Sequence, residues 1–272
     1  MRLTAIRHPL AVVLFSLALV GGAAVSFATS DEQVNTDIFA MHTGVFVGTK
    51  KQAVLETETY FQGGKTYDTI TTDPNSVIVK MDFDEKAIYL LDPVSKSRTS
   101  LTFDQVNNFQ SDAIAAVQLE AKNKLLEFLA NPRFQREFDA NAKTQRLTSP
   151  WLTYEAEGHQ APGDVVNRYA DFATWSAKLS TILVQGPPAQ ARIELNQMLK
   201  KRNWQVVRVT RTGGPKANEL GVVRSEHSYR YAFTEDDENF IQDVEKNLKA
   251  YRDIEFFDFR AARNSQRALA KK

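Results

Sequence analysis

Alternation is the feature that most limits how this chain can fold. Val77, Val79, Met81 and Phe83 are separated by single residues, which places all four on one face of an extended strand. Asp84-Glu85-Lys86 then turns the chain into Ala87-Ile88-Tyr89-Leu90-Leu91, and Asp92-Pro93 turns it again into Lys96 to Thr102. Upstream, Val45-Phe46-Val47 ends at Gly48, Ala53 to Gln62 meets Gly63-Gly64, and Lys65 to Thr72 runs into Asp73-Pro74-Asn75-Ser76. Strands recurring at about 8–12 residue spacing, each closed by a turn, predict an antiparallel meander.

At Thr102 the period changes. Phe103, Val106, Phe109, Ala113, Val117, Ala121 and Leu125 fall at helical steps, predicting one amphipathic helix from Thr102 to Ala130, stopped by Asn131-Pro132. Phe134 to Gly158 returns to strands. Asp164 is the expected N-cap of a helix carrying Val165, Tyr169, Phe172, Leu179 and Leu183 on its inner side. Gly186-Pro187-Pro188 breaks the chain before a helix through Ala191, Leu195, Met198 and Leu199. Trp204 to Thr212 and Leu220 to Phe233 read as strands, and Thr234 caps a last major helix with Phe240, Ile241, Val244, Leu248 and Tyr251 inward. The fold class is α+β: a strongly curved antiparallel sheet or half-open β-barrel with helices packed on its concave side.

The first residues read as an address. Arg2 and Arg7 precede the apolar run Leu10 to Val20, followed by small residues and Ser26-Phe27-Ala28, so a secretory signal over 1–28 cut after Ala28 is expected. The alternative is an uncleaved anchor, since Leu10 to Ala28 approaches the length of a membrane span. Either way, membrane contact is expected only through this segment. The expected division of the chain is signal 1–28, a meander-plus-helix unit 29–158, and an α/β extension 159–272 packed on or completing the same domain.

With 34 basic and 33 acidic side chains the sequence lacks the excess of positive charge that nucleic-acid binding requires. It has no cysteine, which excludes disulfide-stapled folds, thiolate metal sites and cysteine nucleophiles. Exported to the periplasm or outside the cell, such a chain must stand on its hydrophobic core.

The segment SVIVKMDFDEKAIYLLDPVSKSRTSL, Ser76 to Leu101, with its acidic turn and apolar strand ending in Leu-Asp-Pro, resembles the outer-membrane lipoprotein carrier-like domains of exported proteins. The resemblance covers about residues 43–158. It implies a half-open β-barrel with helices across its mouth and an apolar cavity in place of a fixed residue set, so it transfers no catalytic residue. Residues 160–272 extend beyond a minimal carrier domain.

Candidate chemistry is sparse. The sequence has no GxSxG, HExxH, phosphate-binding, dinucleotide-binding or EF-hand pattern, and no cofactor or metal is expected. On the strand from Leu220 to Phe233, alternation puts Val223, Ser225, His227, Tyr229, Tyr231 and Phe233 on one face. His227, Tyr229 and Tyr231 are the cavity-lining candidates. Ser225 and His227 could touch, but a hydrolase also needs an orienting carboxylate. Asp82, Asp84 and Glu85 read as a solvated turn, Glu235 to Glu238 as a helix start, and Arg260, Arg263, Arg267 and Lys271 as a basic helical tail. The function expected is a non-catalytic exported protein binding a lipid or other apolar or acyl ligand. The alternatives are an envelope structural or protein-interaction domain, with an envelope protein as partner, and a hydrolase.

Overall fold

The computed structural model describes residues 36–119, 123–184 and 186–269, so the expected signal over 1–28 lies outside the described residues. Its core is one sheet of twelve strands. In chain order these are β1 (Ile38–Val47), β2 (Leu55–Gln62), β3 (Lys65–Ile70), β4 (Ile78–Asp82), β5 (Ala87–Asp92), β6 (Ser97–Thr102), β7 (Gln135–Asp139), β8 (Thr144–Thr148), β9 (Leu152–Gln160), β10 (Trp204–Gly213), β11 (Val222–Arg230) and β12 (Arg252–Asp253). The strand order is β12-β6-β5-β4-β3-β2-β1-β11-β10-β9-β8-β7. Every pairing is antiparallel except β12 on β6. β1 therefore sits mid-sheet and joins two meanders, and the sheet runs through residue 158 because β9 pairs with β10.

Three hairpins close on the same five-residue pattern, an aspartate followed four positions on by a lysine. Asp82, Asp92 and Asp139 each accept backbone N–H bonds from the turn that follows, at 2.9–3.1 Å. Lys86, Lys96 and Lys143 take positive φ, at 54°, 48° and 51°. The carboxylate fixes the turn and the lysine supplies the left-handed residue, so the register is set locally. Gly63, at φ 54°, does the same work between β2 and β3.

Helices cover both faces. α1 (Phe103–Leu119), α2 (Lys124–Ala130), α3 (Gly163–Val184), α4 (Gln190–Lys201) and α6 (Phe256–Leu269) share one apolar cluster with Phe39, Met41, Phe61, Met81, Leu90 and Val206 of the first face. Phe39 and Phe61 stack there at 4.1 Å, and burying each ring contributes about 1.5–3 kcal/mol. α5 (Glu235–Ala250) instead lays Ile241, Val244 and Leu248 on Ala40, Tyr60, Tyr67 and Leu91 of the second face. Helices on one side only were expected. α5 departs from this because β11 ends at Arg230 and a Thr234–Asp237 capping box restarts the chain behind the sheet.

The single helix expected from Thr102 to Ala130 is two. Thr102 and Gln105 bond each other's backbone N–H to start α1, and Asn123 accepts from Leu125 and Leu126 to start α2. An asparagine with its own N-cap bonds begins a new helix. Val106 is fully buried but Val117 is only half-buried and Leu119 is 88% exposed, so the apolar stripe docks at its N-terminal end only. Asp164 likewise lies inside the first turn of α3, which begins at Gly163.

Candidate functional site

The site is built on the first face where β11 lies between β1 and β10. Registration pairs His227 with Thr43, Tyr229 with Met41, and Ser225 with both Val45 and Val209. Period-2 alternation sends all these side chains to the same side, under α3. His227 Nδ1 lies 3.1 Å from Thr43 Oγ1 and Nε2 lies 3.3 Å from Ser225 Oγ. Its ring meets the edge of Tyr169, on α3, at 5.7 Å. Burial, and next the positive charge of Arg192, lower its pKa to about 3, so the imidazole is neutral at physiological pH.

Two tyrosines continue the row. Tyr229 donates its hydroxyl to the Val206 carbonyl at 2.8 Å, and Tyr231 donates to Gln205 Oε1 at 2.9 Å. The structure therefore brings His227, Tyr229 and Tyr231 to one face, as alternation predicts, and leaves each of them only half-buried. Phe233 does not join them. It lies beyond the end of β11 and meets Tyr60 edge-on in the second-face cluster at 6.0 Å.

Ser225 and His227 do touch, yet both imidazole nitrogens are engaged by hydroxyls, and no carboxylate reaches the ring among the described residues. A base holding its pKa near 3 has little proton affinity with which to activate a serine at neutral pH.

Asp82, Glu85, Asp237, Arg260 and Arg263 have structural partners, and Lys271 lies outside the described residues. Asp82 binds the turn and lies 3.6 Å from Lys80 Nζ, and Glu85 accepts from Tyr89 at 2.7 Å. No group of three or more metal-ligating side chains occurs among the described residues. Asp237 completes the α5 capping box and pairs with Arg230. In the basic tail, Arg263 bonds Asp92 of β5 at 3.3 Å and Arg260 donates to the Ile182 carbonyl of α3, so the first holds α6 to the sheet and the second holds it to α3. Two clefts open on the surface, one of about 490 Å³ between α1, β6 and α6 and one of about 770 Å³ between α5 and the β2–β3 hairpin. Neither contains His227.

Sequence reading missed Thr43, Arg192 and Arg211. The signal for Arg192 was present: with Leu195, Asn196 and Leu199 it occupies the i, i+3, i+4 and i+7 positions of the inward stripe of α4. An arginine in such a stripe marks a polar interior. Arg211 pairs with Tyr154 across β9 and β10, but a bulge between Val206 and Arg208 shifts the alternation that would have placed it.

No family model and no curated protein matches the chain. Among solved structures, PNGF-II is similar over 82% of this chain and 32% of its own, at 9% identity and a TM-score of 0.37. The chain thus spans less than a third of the length of that protein. No helix among the described residues is long and apolar enough to cross a membrane.

Proposed function

We propose that this chain is an exported, non-catalytic binding protein that holds a small apolar or acyl ligand between β9–β11, β1 and helices α3 and α4. A half-open sheet closing around those helices is the architecture this reading requires. One observation carries it: His227 and Tyr229 face inward from β11 beneath α3, yet both keep accessible surface. A recess bordered by such inward yet accessible groups is what this reading requires; its lining would be aromatic rings whose hydroxyls are already bonded to the protein, the mostly apolar lining that small-ligand sites have.

Native mass spectrometry of the full chain, with calorimetric titration of decanol, tests the proposal. A single co-purifying small molecule, or saturable decanol binding, is the expected result. A clean apo mass with no binding overturns it. Because both imidazole nitrogens are engaged, His227→Gln should leave ligand affinity within about threefold, under ~0.7 kcal/mol.

A further inference from the structure

Arginines on the second face are paired. Arg146 meets Glu155, Arg208 meets Glu157 and Glu226, Arg224 meets Glu226, and Arg230 meets Asp237. Arg192 and Arg211, half-buried on the first face, are not: among the described residues no carboxylate lies within 4 Å of either. Arg192 donates to the Tyr169 hydroxyl at 3.2 Å and to Asn196 Oδ1 at 3.1 Å, both neutral acceptors. Arg211 donates to the Leu220 carbonyl at 3.1 Å and leaves its Nε buried without a partner.

The two cations border one row of side chains. Arg211 pairs with Tyr154 across β9 and β10, while Arg192, on α4 packed against β10, reaches the Tyr169 hydroxyl, and the Tyr169 ring meets His227. The positive charge of both opposes the burial that raises the Tyr154 pKa. Arg192 stands in the first turn of α4, which has no acidic residue there and no side-chain N-cap bond, so the helix dipole adds positive potential. Two half-buried guanidiniums bordering the same side-chain row, with no counter-charge among the described residues, are costly unless an anion joins them.

Resting on the binding recess proposed above, we infer that its ligand is an amphiphilic monocarboxylate whose head group is held by Arg192 and Arg211 and whose apolar body lies along Tyr154, His227 and Tyr229. The guanidinium fork matches a carboxylate in charge and geometry. A single negative charge suits a surround this apolar better than a doubly charged head, whose desolvation costs more.

Calorimetric titration of the full chain at pH 8 with decanoate and with decanol separates charge from chain. Decanoate should bind at least tenfold more tightly than decanol. Arg192→Gln should lower decanoate affinity at least tenfold and leave decanol affinity unchanged. Arg211→Gln should act in the same direction and serves where Arg192→Gln does not fold. Equal affinity for the two probes in the unmodified chain, or a decanoate preference surviving both substitutions, overturns the inference while leaving the recess intact. Binding of neither probe overturns the recess itself.

Discussion

His227 and His42 stand on neighbouring strands, β11 and β1, but on opposite faces of the sheet, and their imidazoles move in opposite directions. His42 Nδ1 bonds Glu58 at 2.7 Å, and this bond, opposed by burial, raises its pKa. His227 meets only hydroxyls and an aromatic edge, and burial lowers its pKa to about 3. The same contrast separates the faces at large. The second face carries its charges in neutralised pairs across β8 to β11, while the first face buries Thr43, Thr57, Thr59, Thr66, Asp68 and Ser225, where Thr43 meets His227, Thr59 donates to Asp68 and Ser225 donates to the Val209 carbonyl in place of ion pairs. Location alone does not set protonation; it is decided by whether burial comes with an opposite charge.

The largest test of this contrast compares two positions on β10. Val206 is fully buried on the first face beneath Tyr229, so Val206→Asp should cost about 3–5 kcal/mol in chemical denaturation. Arg208, in a paired and part-exposed site, should tolerate Ala within about 1 kcal/mol. Equal losses would mean that the faces are not energetically distinct.

A second test uses pH. His227 has a folded pKa below its unfolded value of 6.5, so the unfolded chain takes up a proton that the folded chain refuses. Its contribution is at its best above pH 6.5 and falls steadily as pH drops toward about 3. Denaturation of the unmodified chain and of His227→Gln between pH 7 and 4.5 should therefore converge, the unmodified chain losing about 2 kcal/mol more. Parallel curves would show that the imidazole is solvated.

Asp68 sharpens the comparison with a group of opposite charge type. Burial raises its pKa from 3.8 to about 6, opposed by the Thr59 hydroxyl at 2.7 Å. With the folded value raised, its contribution is full below pH 3.8 and is lost as pH rises through about 6. Asp68→Asn, which keeps an acceptor for Thr59, should stabilise the fold at pH 7 by about 1–2 kcal/mol and make no difference near pH 3.5. A destabilised variant at pH 7 would show that the carboxylate has a cationic partner.

The smallest effect belongs to His42. Its raised pKa means that its contribution is complete below pH 6.5 and is lost as pH rises through the folded value. Because the site is part-exposed, His42→Gln should cost less than about 1 kcal/mol at pH 6 and nothing at pH 9. A histidine C–H titration by NMR should place the His42 midpoint above 6.5 and find no His227 transition down to pH 4.

Much of the site was legible in the alternation of β11: His227, Tyr229 and Tyr231 follow from a period of two. Phe233 was misplaced because alternation carries no information about where a strand ends. Arg192 was overlooked although it stands in the inward stripe of α4, because a charged residue in isolation reads as solvent-facing, and Arg211 because the bulge between Val206 and Arg208 shifts the alternation of β10.

What the sequence determined by itself was local. Alternation, the three Asp-to-Lys turns, the Gly63-Gly64 hairpin and the Thr234 capping box each act within a few residues, where backbone sterics and short hydrogen bonds dominate. Only the tertiary structure decided which strands met across long separations. β1 pairs with β11, bringing Thr43 to His227, and the restart of the chain after Arg230 put α5 behind the sheet. Those contacts depend on the burial of whole faces against one another, a sum over many distant side chains, and no short segment encodes that sum.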